Sequence, residues 1–363
     1  MKRIFFTVTN DLTYDQRMQR ICTTLAENGY SVTLVGRRLP ASLPLRIEKY
    51  RQVRLRCWFT KGKRFYAEYN IRLLGYLLFK KMDAICAIDL DTILPCLQVS
   101  KWKDIPRIYD AHELFTGLKE VSTRPAVYRA WTRIEKKAVP QFKWGYTVTE
   151  SIAREFHRRY KVNYQTIRNV SWLRPLEKIQ APEKFIVYQG AVNEARAFEF
   201  LVPAMQWVDH KLVICGDGNF MDTLKKLITE YKIDHKIELK GMLLPDELWD
   251  IARSAAVGVA VAENEGINQY MALPNKFFDY LHAGLPQVTM DFPEYKSFNS
   301  EFEVALLISD PEPRVIAEAL NKLLTDPVLY GRLSDNCIKA RQVHNWQNES
   351  KKLLQFYQSV FDQ

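Results

Sequence analysis

The sequence is poor in anything that would staple or repeat a fold. Its six cysteines (Cys22, Cys57, Cys86, Cys96, Cys215 and Cys337) are scattered over 363 residues, with no CxxC and no Cys/His pair at zinc spacing. They read as small core hydrophobes of a reducing compartment, not as a disulfide framework. Glycine (14) and proline (16) are in no excess, and no segment recurs at a fixed period. Collagen, low-complexity and repeat architectures are thereby excluded. Long apolar runs are missing as well. The richest, Leu73 to Phe79, falls far short of the ~20 residues that span a bilayer. The start, Met1 to Val8, turns polar at Asn10-Asp11, too early for a signal peptide. The expectation is a soluble, cytoplasmic protein.

What is present suits a globular chain of two domains: 47% of residues are hydrophobic, and domains hold roughly 100–200 residues each. Acidic residues are scarce in one half only. Residues 1–180 hold 34 Lys and Arg against 16 Asp and Glu, a net of +18, and the remainder holds 18 against 26, a net of −8. That asymmetry supports a boundary near residue 175 and an anionic partner for the first half. Nucleic acid, an acidic membrane and a phosphorylated small molecule are all open at this point.

Strand and helix signals alternate from the start. Ile4 to Val8 is a short apolar run of the kind buried on both faces of a parallel sheet. Met18, Ile21, Cys22 and Leu25 follow at helical spacing, and Gly29 stops that helix. Further strands are expected at 31–36, 53–59, 84–88, 107–109 and 145–148, with helices at 65–81, 92–101 and 124–139. Arg168 to Pro182 breaks the rhythm and reads as a linker. The alternation then restarts with strands at 185–189, 211–215, 236–240, 257–262, 287–290 and 304–307. Helices are expected at 197–207, 219–231, 245–254, 274–283, 313–325, 328–340 and 346–361. This is an α/β protein of two Rossmann-like, doubly wound domains facing across a cleft, at 1–171 and 172–345, with 346–363 returning toward the first.

The sharpest local signal runs from Leu273 to Pro286. Pro274 suits a first helical turn, and Gly284 with Pro286 marks the stop. Lys276 and Asp279 sit three apart on one face. Free amides at this helix start, with Asn275 and Lys276, suit an anion, and Asp279 suits a ribose diol. A solvent-exposed Lys–Asp pair on an ordinary helix is the alternative.

This stretch resembles the carboxyl-terminal signature of two-Rossmann-domain (GT-B) glycosyltransferases, in particular glycosyltransferase family 4. The resemblance places Asp279 where the family binds the nucleotide ribose. The acidic residue usual eight positions earlier falls on Met271, with Glu263 and Glu265 just upstream as substitutes. Val187 to Arg196 resembles the first strand and glycine turn of the donor domain. It implies that Gly190 lies against the diphosphate and that Arg196 neutralises it, while Ala191 stands where a second basic residue is usual. Leu212 to Gly218 resembles the family's strand and G-x-G turn, with Gly216 at the strand end. Gly241 and Met242 correspond to the loop whose backbone touches the nucleotide base. In the first half, Ile108 to Phe115 resembles the strand-end histidine motif, which makes His112 the catalytic candidate. On the residues alone, a lone His112 is more commonly a structural histidine bonded to Glu113 or to backbone. The first loop, Thr9 to Arg17, lies where acceptor and diphosphate would meet. Asp15 is a candidate to orient an acceptor hydroxyl, or a cap of the following helix, and Arg17 to hold a phosphate.

The resemblance implies transfer of a sugar from a nucleotide-diphosphate sugar to a glycan or lipid-linked acceptor, with retention, in cell-surface polysaccharide or lipopolysaccharide biosynthesis. No aspartate cluster for a metal and no paired carboxylates for double displacement are evident, so a metal-independent enzyme without a cofactor is expected. Arg51 to Phe65 mixes cations with aromatics, with Arg54, Arg56 and Trp58 on one strand face and Tyr66, Tyr69, Leu73, Tyr76 and Leu77 along the next helix. Together with Arg129, Arg133 and Lys137, this suits peripheral contact with an anionic membrane at its inner face. No nucleic-acid motif accompanies the charge, and no nucleic-acid partner is expected. A nucleotide-sugar epimerase or phosphorylase on the same fold, or a catalytically degenerate binding homologue, is the alternative.

Overall fold

A computed structural model of the chain describes residues 1–13, 15–177 and 184–362. Tyr14 in the first loop, and the part of the expected Arg168–Pro182 linker from Lys178 onward, lie outside the described residues. Two compact units are present: Met1–Asn169 with Glu349–Gln363, and Val170–Asn348.

Unit 1 is built on seven strands: β1 (Arg3–Thr7), β2 (Ser31–Arg38), β3 (Arg51–Arg56), β4 (Ala84–Ile88), β5 (Arg107–Ala111), β6 (Trp144–Thr147) and β7 (Gln165–Thr166). They are all parallel, in the order β3-β2-β1-β4-β5-β6-β7. The central strands are short apolar runs because helices cover both faces of the sheet. Ile4, Phe6, Ile85, Cys86, Ile108 and Tyr109 are fully or almost fully excluded from solvent. The last helix, Trp346–Phe361, supplies Tyr357, whose hydroxyl lies 3.2 Å from that of Tyr146. All six cysteines are unpaired, and five are buried.

Unit 2 has six strands: β8 (Phe185–Gln189), β9 (Lys211–Cys215), β10 (Ile237–Gly241), β11 (Val257–Ala260), β12 (Gln287–Met290) and β13 (Ala305–Ile308). Their order is β10-β9-β8-β11-β12-β13, again all parallel. In each sheet the order reverses beside the first strand. That switch lies between β1 and β4 in unit 1 and between β8 and β11 in unit 2. Loops leaving the two strands at such a point part in opposite directions, opening a crevice at their carboxyl ends.

Several elements depart from the sequence expectation. Helices Glu150–Tyr160 and Pro293–Glu301 and the two-residue strand β7 were not anticipated. The aromatic stripe after β3 is core, not surface: Tyr69, Leu73 and Leu77 are buried, and the Tyr69 hydroxyl donates to Val8 O at 2.5 Å. Arg54 is not a free surface cation either, because its guanidinium pairs with Asp11 at 2.6 Å and donates to Leu43 O. No helix among the described residues is long and apolar enough to cross a membrane.

Candidate functional site

In unit 2 the carboxyl end of β8 turns at Gly190, whose φ of +120° lies in the region that favours glycine. The neighbouring turn after β9 is packed onto it: a Cβ on Gly216 would sit 1.9 Å from Gly190 O. Neither position tolerates a side chain, so the two strand ends form a bare backbone cradle. Against it lies Lys276 from the first turn of helix Asn275–His282, its Cε 3.4 Å from where a Gly190 Cβ would stand. The ammonium rests over the Tyr188 ring, 3.4 Å from its centroid.

Lys276 is buried, and no carboxylate offsets it among the described residues. Burial, and then the neighbouring Arg196 guanidinium, pull its pKa well below the usual lysine value. Arg196 is held by Gln269, whose Oε1 accepts from it at 3.2 Å. The loop bearing Arg196 is strained on both sides, with Ala195 at φ +63° and Ala197 at φ +56°. Left-handed backbone at a non-glycine residue costs of order 1–3 kcal/mol and persists where the surroundings over-determine it. Two cations are thus fixed beside a glycine cradle, and among the described residues no carboxylate offsets the buried Lys276.

Asp279 does not pair with Lys276. Its two oxygens accept from Ser171 Oγ and Gln189 Nε2, each at 2.8 Å, which anchors the carboxylate at the end of β8. The exposed Lys–Asp pair is therefore the wrong description of this helix. Asn275 is exposed at the helix start. Gly241 ends β10 with φ +65°, followed by Met242, which is 64% exposed. On the other side of the switch, the Glu263 backbone N–H donates to Ala195 O at 3.3 Å, drawing the loop after β11 to the arginine loop. Met271 closes the short helix Ile267–Met271, which contributes Gln269 to Arg196. A neutral amide here orients the guanidinium without cancelling its charge. Sequence reasoning missed Tyr280. Its buried hydroxyl donates to Val187 O at 3.1 Å and accepts from Gln189 N at 3.0 Å, bridging the place where β8 and β11 part.

Unit 1 carries a second cluster at its own switch point. Thr9, after β1, donates to Asp91, after β4, at 2.5 Å. Asp110, within β5, is wholly buried. One oxygen accepts from Arg17 at 3.0 Å and the other meets His112 Nε2 at 3.1 Å. The His112 backbone N–H donates to Asp89 at 2.9 Å, and its Nδ1 lies 3.7 Å from the other Asp89 oxygen. Burial works against charge on His112, but Asp110 and Asp89 outweigh it and carry its pKa up to about 9. Burial would also raise Asp110, yet Arg17 and then His112 hold it below the usual carboxylate range. Asp91 is pushed up to about 6 by burial.

His112 is therefore bonded to aspartates, not to Glu113. Asp15 caps helix Gln16–Glu27, with one oxygen accepting from Met18 N at 3.0 Å and the other from Asn10 at 2.5 Å. Its carboxylate is committed to that turn. Arg17 is buried between Asp110 and Ile167 O, so it is a fold-bearing ion pair and not a phosphate ligand. Asp89 and Asp110 went unremarked in the sequence, although an acid that ends or interrupts an apolar strand must find a partner.

Comparison with known proteins follows this division. The Glycosyltransferase Family 4 model matches residues 16–170, and the Glycosyl transferases group 1 model matches residues 173–342. The chain thus carries a Glycosyltransferase Family 4 domain followed by a Glycosyl transferases group 1 domain. An uncharacterized glycosyltransferase of Methanocaldococcus jannaschii is 25% identical over 206 residues, 53% of this chain and 51% of that protein; the match spans about half of that relative's length. Among solved structures, sucrose-phosphate synthase from Thermosynechococcus elongatus aligns over 100% of both chains at 16% identity and a TM-score of 0.86. Anabaena HepE in complex with UDP and glucose aligns over 99% of this chain and 100% of its own, at 12% identity and a TM-score of 0.76. WaaG, a glycosyltransferase involved in lipopolysaccharide biosynthesis, covers 96% of this chain and 98% of its own, at 14% identity and a TM-score of 0.70. Both units thus share the GT-B glycosyltransferase fold.

Proposed function

We propose that the chain transfers a sugar from a nucleotide-diphosphate sugar to a glycan or lipid-linked acceptor, with retention of anomeric configuration. The observation that carries this is the buried Lys276, offset by no carboxylate among the described residues, with Arg196 beside it at the Gly190–Gly216 cradle. A diphosphate there would receive backbone amides from the bare turns and charge from both side chains, where negative charge grows as the bond to the sugar breaks. Asp279, anchored at the end of β8, takes the ribose, and the backbone at Gly241-Met242 the base. The charge needed by the leaving group comes from side chains, so the reaction calls on no divalent ion and no resident cofactor. His112 is assigned to the reacting sugar.

The structure of HepE with UDP and glucose supports a nucleotide sugar as donor, and WaaG supports a pathway to surface polysaccharide or lipopolysaccharide. Trp58 is 85% exposed, with Arg72 stacked 4.6 Å from its ring centroid, and Phe79 is 87% exposed. Aromatic and cationic groups so placed suit peripheral contact of unit 1 with an anionic membrane surface where a lipid-linked acceptor resides.

Incubation with a panel of nucleotide-diphosphate sugars, read by NMR of the released or transferred sugar, tests the reading. One donor is expected to be cleaved, slowly to water and faster with acceptor, and the first-formed sugar keeps the donor's anomeric configuration. Inverted product would overturn retention, and failure to cleave or bind any donor would overturn the transferase reading.

A further inference from the structure

The second cluster has a geometry that decides what His112 is able to do. Asp110 is wholly buried, with Arg17 on one oxygen and His112 Nε2 on the other, so the ring is anchored through a charged hydrogen bond inside the sheet. The remaining nitrogen, Nδ1, faces an Asp89 oxygen 3.7 Å away, too far for a hydrogen bond, and the side chain keeps 22% of its surface exposed. One nitrogen is fixed and the other is open to a ligand. Asp89 itself sits at φ +53° and ψ 180°, a conformation almost confined to glycine. It is held there as its N–H donates to Asp110 O and its carboxylate accepts the His112 N–H. Strain of this kind, conserved by mutual bonding of two strand ends, clusters at working sites.

We propose that Asp110 is a positioning residue that keeps His112 an imidazolium at neutral pH, so that Nδ1–H meets the reacting sugar as a fixed cation and donor and the ring never acts as a general base. This rests on the transferase reading for the role, but not for the charge. A ring with a proton on each nitrogen has no lone pair with which to accept one. The groups that face it are Asp110 from β5, Asp89 after β4 and Arg17 from helix Gln16–Glu27; Asp91 also interacts with its charge, and Glu113 acts on Asp89. Arg17 opposes its charge, and the two aspartates outweigh Arg17 and burial together.

Nitrogen-15 histidine NMR of the whole chain tests the charge, with His112→Gln assigning the signal among the six histidines. Wild-type His112 is expected to show two protonated nitrogens at pH 7.5 and to lose one only near pH 9. In Asp110→Asn its titration falls by at least one pH unit, and the alkaline limb of the kcat/KM profile for transfer moves down with it. Because Asp110→Asn leaves Arg17 without its counter-charge, Arg17→Met with Asp110→Asn serves where the single variant fails to fold. A neutral imidazole in the wild type at pH 7.5, or a titration unmoved by loss of Asp110, overturns the proposal. If no donor is turned over but His112 is charged as described, the transferase reading fails and the charge assignment stands.

Discussion

The two units bury cations at the same point of their topology and treat them in opposite ways. In unit 1, Arg17 and His112 share the carboxylate of Asp110, so the charge is met within the fold. In unit 2, Lys276 and Arg196 lie side by side at the end of β8 with no carboxylate offsetting Lys276 among the described residues. The first arrangement stabilises its own structure and positions a ring. The second is held against its desolvation cost by the packing around it, and that makes sense when its anion arrives with the ligand. Buried cations at two strand ends therefore differ in their counter-charges and, under the proposed reading, in the work they do.

Breaking the compensated side has the largest effect on stability. Asp110→Ala leaves a buried guanidinium unpaired and is expected to cost about 3–5 kcal/mol in denaturant unfolding. Removing the uncompensated side should spare the fold and cost function instead. Arg196→Ala with Lys276→Ala is expected to lower kcat/KM for donor turnover by roughly 10²–10³-fold, the scale of losing groups that stabilise developing charge.

A pH series sharpens the contrast, because the two linkages have opposite signs. His112 has its folded pKa raised, to about 9 from 6.5. Its contribution is fully present below pH 6.5 and is lost as the pH rises through about 9, at most about 3 kcal/mol. Lys276 has its folded pKa lowered, so its contribution to stability grows as the pH rises toward the ordinary lysine value. Unfolding free energies of His112→Gln and Lys276→Met between pH 6.5 and 9 separate them: the first variant loses the downward slope and the second loses the upward one. Smallest is the gain expected from Lys276→Met at pH 7. An apolar chain of similar length in that pocket should stabilise the ligand-free protein by about 1–2 kcal/mol, read as a raised Tm.

The sequence made most of the fold legible. Buried parallel strands are short apolar runs, and those at Ala84–Ile88, Phe185–Gln189, Lys211–Cys215 and Gln287–Met290 stand at the residues expected. Helix Glu150–Tyr160 escaped because Arg154, Glu155, Arg158 and Arg159 dilute its apolar stripe, although Thr149 is a capping residue and accepts from Ile152 N at 3.3 Å. Strand β7 pairs through only two residues, too few for any periodicity to show. At the candidate site, Lys276 and Asp279 stand out by their spacing on one helix, whereas the glycine turns and Arg196 are reached only through the family resemblance. What the spacing could not reveal was pairing. That Asp279 bonds Gln189 rather than Lys276, and that His112 answers to Asp110, are facts of the third dimension.

The most direct test of the contrast is thermal unfolding of wild type and Lys276→Met with and without a panel of nucleoside diphosphates and nucleotide sugars. Ligand at 100 times its Kd contributes about 2.7 kcal/mol, a clear shift of midpoint. Wild type is expected to unfold at a higher temperature with one nucleotide class. Lys276→Met should start above the ligand-free wild type and fail to move. A variant that starts lower, or that shifts as far as the wild type with the same ligand, would contradict a cation held uncompensated for an incoming diphosphate.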